Sequence, residues 1–211
     1  MRITVGKATD SKKLGGELSE YYAIQDHLIT LAKEFHNNTI IAGNQLAGFY
    51  GKQTGIITGT ELETETGLTA GTLAVSGDIT WLKFSHNNKT LFVADRAIRT
   101  SISWDDIQAQ DLVKGKVIET KGRYYLVRLM TGGNSNPADE AGGEWDDLIV
   151  AFTSNDADSN WDGVKTWTQE ISSTDIANRI HRGDTAVDGI DNIIASTATA
   201  DYIYRPVLEL L

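Results

Sequence analysis

The stretch KVIETKGRYYLVRLM, Lys116–Met130, contains two strand-like runs on either side of Lys121-Gly122. A glycine in a two-residue connection supplies the positive φ that a tight hairpin needs. In the second run Tyr125, Val127 and Leu129 alternate with Tyr124, Leu126 and Arg128, which is the two-residue period of a strand with two distinct faces. Working outward, Trp81–Phe84 and Thr90–Ala94 flank the turn-like His86-Asn87-Asn88 and predict another hairpin. Asn178–His181 and Tyr204–Leu211 are further strand candidates, the latter placed to pair back into the sheet at the end of the chain. Ser103 followed by Asp105 and Asp106 predicts an N-cap opening a short helix towards Gln110, and Glu144–Phe152 a second one. The rest between Met130 and Tyr204 reads as long polar loops pinned by tryptophans. These elements predict an α+β fold: an antiparallel sheet, short helices and long ordered loops.

Composition narrows the function. The 211 residues are 40% hydrophobic and 23% charged, ordinary for a globular protein. Nineteen Lys and Arg against 29 Asp and Glu give a net charge of −10, which repels phosphate backbones and speaks against nucleic acid as a partner. There is no cysteine, so disulfides, thiol nucleophiles and Cys-zinc sites are excluded. Apolar runs fall far short of the roughly 18 residues of a membrane span, and the N-terminus lacks a signal-peptide core. A soluble protein with no membrane span is expected.

All five tryptophans and both prolines follow residue 80, whereas the glycine- and threonine-rich Thr58–Asp78 stretch reads as a linker. We therefore expect a boundary near Gly77, with an N-terminal anchoring and oligomerisation segment at 1–78 and a C-terminal domain at 79–211. In the first part Ser19 is an N-cap candidate for a helix carrying Tyr21, Ile24, Leu28, Leu31 and Phe35 at spacings of three and four. A lone helix of about 15 residues is marginal in water, so this seam needs partners, and a homotrimer would supply them. Thr39–Ala42, Gln45–Tyr50 and Gly55–Thr58 read as short strands between glycines.

Two sets of motifs carry resemblances. Leu14-Gly15-Gly16 followed by Tyr22-Ala23 resembles a phrase of bacteriophage tail-fibre proteins that precedes a trimerising segment. From Trp81 to Leu211 the ordered series is Ser103-Trp104-Asp105-Asp106-Ile107, Tyr125-Leu126-Val127-Arg128-Leu129, Gly142-Gly143-Glu144-Trp145 and Trp167-Thr168-Gln169-Glu170. It continues with Asn178-Arg179-Ile180-His181-Arg182-Gly183 and ends on Tyr204-Arg205-Pro206-Val207-Leu208-Glu209-Leu210. The series is similar to a C-terminal domain of phage virion and fibre-like proteins, with the C-type-lectin-like fold of formylglycine-generating enzymes and receptor-binding tips. The resemblance implies a virion protein of a fibre, spike or tail tip that binds a host-surface glycan or protein and contacts other virion proteins. The alternative it leaves is a capsid-decorating or tail-joining protein with no receptor role. The enzyme's cysteine chemistry does not carry over to a chain without cysteine, and only the scaffold is implied.

Site candidates follow. Asp156, Asp158, Asn160 and Asp162 surround Trp161, an aromatic among hydrogen-bonding rims that suits sugar recognition. Oxygen ligands at alternate positions are also what calcium loops use, but Trp161 and Trp167 occupy the sixth and twelfth positions of an EF-hand pattern, which excludes that motif. Glu144, Asp146 and Asp147 invite comparison with the paired carboxylates of glycosidases, yet acidic residues in a helix first turn account for them. The four scattered histidines form no zinc motif, and no Gly-x-Ser-x-Gly elbow or phosphate loop is present. The reading is of a protein that is not an enzyme, with no cofactor and no metal. Arg182-Gly183-Asp184 spells an adhesive tripeptide, but its arginine is expected to pack within the fold. Arg128 and Arg205 are expected to be structural cations, with Glu144, Glu170 or Glu209 as partners.

Overall fold

Asn87 and Asn88 take φ of 49° and 65°, and Lys121 and Gly122 take 51° and 72°. Two consecutive left-handed residues give a two-residue turn the twist that its flanking strands need. Both predicted hairpins are formed in the computed structural model, which describes residues 39–153, 161 and 163–211.

In chain order the first elements are β1 (Ala42–Gly43), β2 (Ala47–Gln53), α1 (Gly59–Thr66), β3 (Thr72–Leu73), β4 (Trp81–His86), β5 (Lys89–Ala94) and β6 (Arg99–Thr100). Then come α2 (Trp104–Gln108), β7 (Lys116–Thr120), β8 (Arg123–Arg128) and a π-helical segment, Trp145–Val150, that runs into α3 (Ala151–Thr153). The chain closes with β9 (Lys165–Ile171), β10 (Asn178–Gly183), β11 (Ile190–Ile194), β12 (Tyr202–Tyr204) and β13 (Val207–Leu210).

The strands form two sheets. One has the order β1-β2-β4-β5-β13-β8-β7, and its paired neighbours are all antiparallel. The other has the order β11-β10-β9-β12-β6-β3, antiparallel except for the β9–β12 pair. The fold is thus sheet-rich and mostly antiparallel with few short helices, as expected. Among the described residues no helix is long and apolar enough to cross a membrane.

Alternation along the central strands β4, β5 and β13 of the seven-stranded sheet buries both of its faces. Trp81, Phe92, Ala94, Tyr125, Val127 and Leu208 join one core cluster with Trp167, Tyr202 and Tyr204 of the second sheet. Leu82, Phe84, Leu91, Val93 and Val207 join another, covered by Trp145, Leu148, Ile149 and Trp161. A sheet apolar on both faces must be covered on both, and here the π-helical segment is part of the second cover.

The expected boundary near Gly77 is not where the chain divides. One compact unit spans Thr39–Leu211, and β2 pairs directly with β4, so residues 39–78 belong to the same fold as 79–211. The supposed linker Thr58–Asp78 is structured as well. Thr58 caps α1: its hydroxyl accepts from Glu61 N–H, and the Glu61 side chain accepts from Thr58 N–H. Leu62 and Thr66 are buried, and Gly67 ends the helix at φ 76°. Gly55–Thr58, expected as a strand, instead leads into this cap. The predicted loops between Met130 and Tyr204 also hold strands, β9 and β11. The seam helix with Tyr21, Ile24, Leu28, Leu31 and Phe35 lies outside the described residues.

The end of the chain does pair back, but in two pieces. Tyr202–Tyr204 lies in one sheet and Val207–Leu210 in the other, with Arg205-Pro206 between them. Proline has no N–H to continue a ladder, so the strand breaks there. The segment between β5 and β6 crosses between the same two sheets, and the crossings are tied to each other. Ile98 N–H donates to Tyr204 O (3.0 Å), Ala94 N–H to Pro206 O (3.1 Å) and Arg205 Nη1 to Asp95 O (2.8 Å).

Candidate functional site

The motif residues Gly142-Gly143-Glu144-Trp145 are held against the end of β8 by charge. Arg128 donates from Nη1 to Glu144 Oε2 (2.7 Å) and from Nη2 to Glu144 Oε1 (2.6 Å), a two-armed pair. Its Nε and Nη2 also reach Glu209 Oε2 at 3.2 and 3.1 Å, and Lys89 Nζ lies 2.8 Å from Glu209 Oε1. Burial works against the charge of Arg128, but Glu144 and Glu209 outweigh it and raise its pKa above the ordinary value. Thr131 completes the clamp: its N–H donates to Glu144 Oε2, its hydroxyl accepts from Glu144 N–H, and its carbonyl accepts from Trp145 N–H.

Arg182, with a side chain 0% exposed, fixes the next loop. It donates to the carbonyls of Gly132 (2.6 Å), Gly189 (2.9 Å) and Asp188 (3.1 Å), and to Asp146 Oδ1 (2.7 Å). The arginine of the Arg182-Gly183-Asp184 tripeptide therefore packs within the fold. Gly132 must be glycine at this point, because a Cβ would lie 2.5 Å from Thr168 Cγ2 and 2.8 Å from Arg182 Cγ. The tryptophans act as rivets. Trp145 Nε1 donates to Val187 O, Trp104 Nε1 to Thr168 O and Trp167 Nε1 to Ile102 O. The Arg179 guanidinium sits 4.4 Å over the Trp104 ring.

The carboxylates considered for glycoside chemistry are engaged in this framework. Glu144 is paired with Arg128, Asp146 with Arg182, and Asp147 Oδ2 lies 3.0 Å from His86 Nε2. Glu170 is buried, which raises its pKa above the ordinary glutamate value, and its Oε2 accepts from Gly132 N–H at 3.0 Å. Of the expected structural cations, Arg128 takes Glu144 and Glu209 as partners, and Arg205 stacks over Trp161.

Trp161 is not the exposed platform expected of a ligand contact. It is 3% exposed, meets Trp145 edge-on with centroids 5.4 Å apart, and carries the Arg205 guanidinium 4.1 Å from its ring centroid. Its ring packs against Trp145 and Arg205 and offers no open face to a ligand. Asp156, Asp158, Asn160 and Asp162 lie outside the described residues, and with them the calcium question. Among the described residues no group of three or more His, Cys, Asp or Glu could hold a metal ion.

A recess of about 170 Å³ opens where the chain crosses between the sheets, lined by Val75, Asp78, Ile79, Thr80, Asp95, Arg96 and Ile98. Asp95 is fixed there by its backbone, since its N–H donates to Thr80 O (3.0 Å) and its carbonyl accepts from Arg205. Its buried carboxylate is gripped by the neighbouring Arg96, Nε to Oδ1 at 3.0 Å and Nη2 to Oδ2 at 3.1 Å. This recess was not legible in the sequence, because it joins residues from two separate segments. The one local signal was Asp95-Arg96 directly after an apolar strand. No family model, no curated protein and no solved structure matches the chain.

Proposed function

We propose that the chain is a bacteriophage virion protein of a fibre, spike or tail tip. Its C-terminal part, built on a C-type-lectin-like scaffold, engages a host-surface receptor, a glycan or a protein. The observation that carries this reading is the pair of buried arginine clamps. Arg128 and Arg182 hold the Gly132–Trp145 and Gly183–Gly189 loops in fixed positions on the sheets. Loops set in advance lose little freedom on binding, which is how a rigid scaffold serves recognition. The motif order from Ser103 to Leu210 supports the virion assignment, and the apolar seam from Tyr21 to Phe35 supports a homotrimer. The function requires no catalysis and no cofactor.

The test uses the labelled full chain. Light scattering gives three times the 23.0 kDa chain mass, and titration onto host cells gives saturable retention. A folded chain that binds other virion proteins and no cells overturns the receptor role in favour of capsid decoration or tail joining.

A further inference from the structure

We propose that the chain associates with a second copy of itself through an open corner of the seven-stranded sheet, face against face. The inference goes beyond the receptor reading and does not depend on it. Val93, Val207 and Arg128 lie opposite one another on adjacent strands, so they share one face of that sheet. The π-helical segment covers this face around Leu82, Phe84, Leu91 and Val93. Over β7 and β8 the described residues leave it open. Tyr124 and Leu126 alternate onto the same side as Arg128, and Val117 lies opposite Leu126. Val117 and Tyr124 are each 54% exposed, and Leu211 is 64% exposed. Three of the seven large apolar side chains exposed among the described residues thus gather in one corner, which scattered surface residues would not do.

Charge identifies the occupant. The register sets Glu119 of β7 opposite Tyr124 of β8. Leu211 continues β13 beside Tyr124, its N–H donating to Tyr124 O at 3.1 Å. Glu209 lies opposite Leu91, which brings Lys89 of β5 to the level of Leu211. The result is a row across four strands, acidic at Glu119, apolar at Tyr124 and Leu211, and basic at Lys89. Both ends are already positioned, since the Tyr124 hydroxyl donates to Glu119 and Lys89 Nζ lies 2.8 Å from Glu209 Oε1.

A two-fold axis parallel to the strands reverses this row in a facing copy. Glu119 then meets the partner's Lys89, Lys89 meets the partner's Glu119, and Tyr124 and Leu211 pack across the axis. A uniformly acidic or basic partner would be repelled at one end of the row, whereas a second copy satisfies both ends at once. A standard stable interface buries about 800 Å² on each side, more than these few side chains offer, so the association is weak and reversible.

Sedimentation velocity of the full chain between about 1 µM and 1 mM tests this. We expect the mean mass to rise at least twofold from the dilute to the concentrated end, whatever unit exists at dilution. The dilute mass checks the homotrimer separately. Glu119→Lys and Lys89→Glu are compared with the parent after their melting temperatures show that both are folded. Each alone sets like charges against each other at both ends of the row and should weaken association about tenfold or more. An equal mixture of the two should recover it, because the introduced charges then face each other and the unchanged ones do as well. Tyr124→Ser should weaken association through loss of the apolar middle. A parent mass constant over the whole range overturns the proposal, and so does a mixture that associates no better than either variant alone.

Discussion

Arg128 and Glu144 lie sixteen residues apart and meet through two parallel hydrogen bonds of 2.7 and 2.6 Å, both side chains being almost completely withdrawn from water. The pair closes the loop that begins at Leu129, and Glu209 ties the same guanidinium to the last strand. One arginine thus links β8, the motif before the π-helical segment and β13.

Removing that arginine strands two carboxylates. Arg128→Met should lower the unfolding free energy by about 3–5 kcal/mol, the cost of leaving a buried charge uncompensated. Adding Glu144→Leu should recover part of the loss, because Glu209 keeps Lys89 as its partner. Urea denaturation of the full chain reads both values. A single variant within about 1 kcal/mol of the parent would show that the pair is no clamp.

Glu170 gives a pH dependence of definite sign. Burial raises its folded pKa, so as pH rises the unfolded chain releases this proton first. Its contribution to stability is therefore greatest below the ordinary glutamate pKa and declines as pH rises through the folded value. Glu170→Gln removes the charge and keeps an oxygen to accept the Gly132 N–H. The variant should melt above the parent at pH 7, with the difference shrinking towards pH 4. Melting curves across that range check it, and a difference independent of pH refutes it.

The α1 cap is testable in isolation from the ionic framework. Thr58→Ala removes the hydroxyl that accepts from Glu61 N–H and should cost about 1 kcal/mol. For a chain of this size that is a fall in melting temperature of about 2–4 °C. An unchanged melting temperature would mean that α1 is held by the burial of Leu62 and Thr66 alone.

Local signals carried some of this fold and tertiary contacts the rest. The turns at Asn87-Asn88 and Lys121-Gly122, and the Ser103 cap with Asp106 as its reciprocal partner, depend on residues within a few positions of each other. The alternation of Tyr125, Val127 and Leu129 likewise shows which face turns to the core. For α1 the Thr58 and Glu61 signature was legible, but the threonines and glycines around it favour extended chain, and only the burial of Leu62 and Thr66 settles the choice.

By itself the sequence determined the hairpins, the α2 cap, the structural role of Arg128 and Arg182, and an acidic protein free of thiol chemistry. The tertiary structure alone decided that residues 39–78 share the fold, that β9 is a strand, and that Trp161 is buried. Thr168, Gln169 and Glu170 lie buried in β9, where polarity predicts a loop. They are tolerated because Thr168 donates to Ile180 O, Gln169 to Leu129 O, and Glu170 accepts from Gly132. Those partners lie 12 to 40 residues away in the chain. The recess at Asp95 is of the same kind, since its walls come from segments that meet only where two strands cross between sheets.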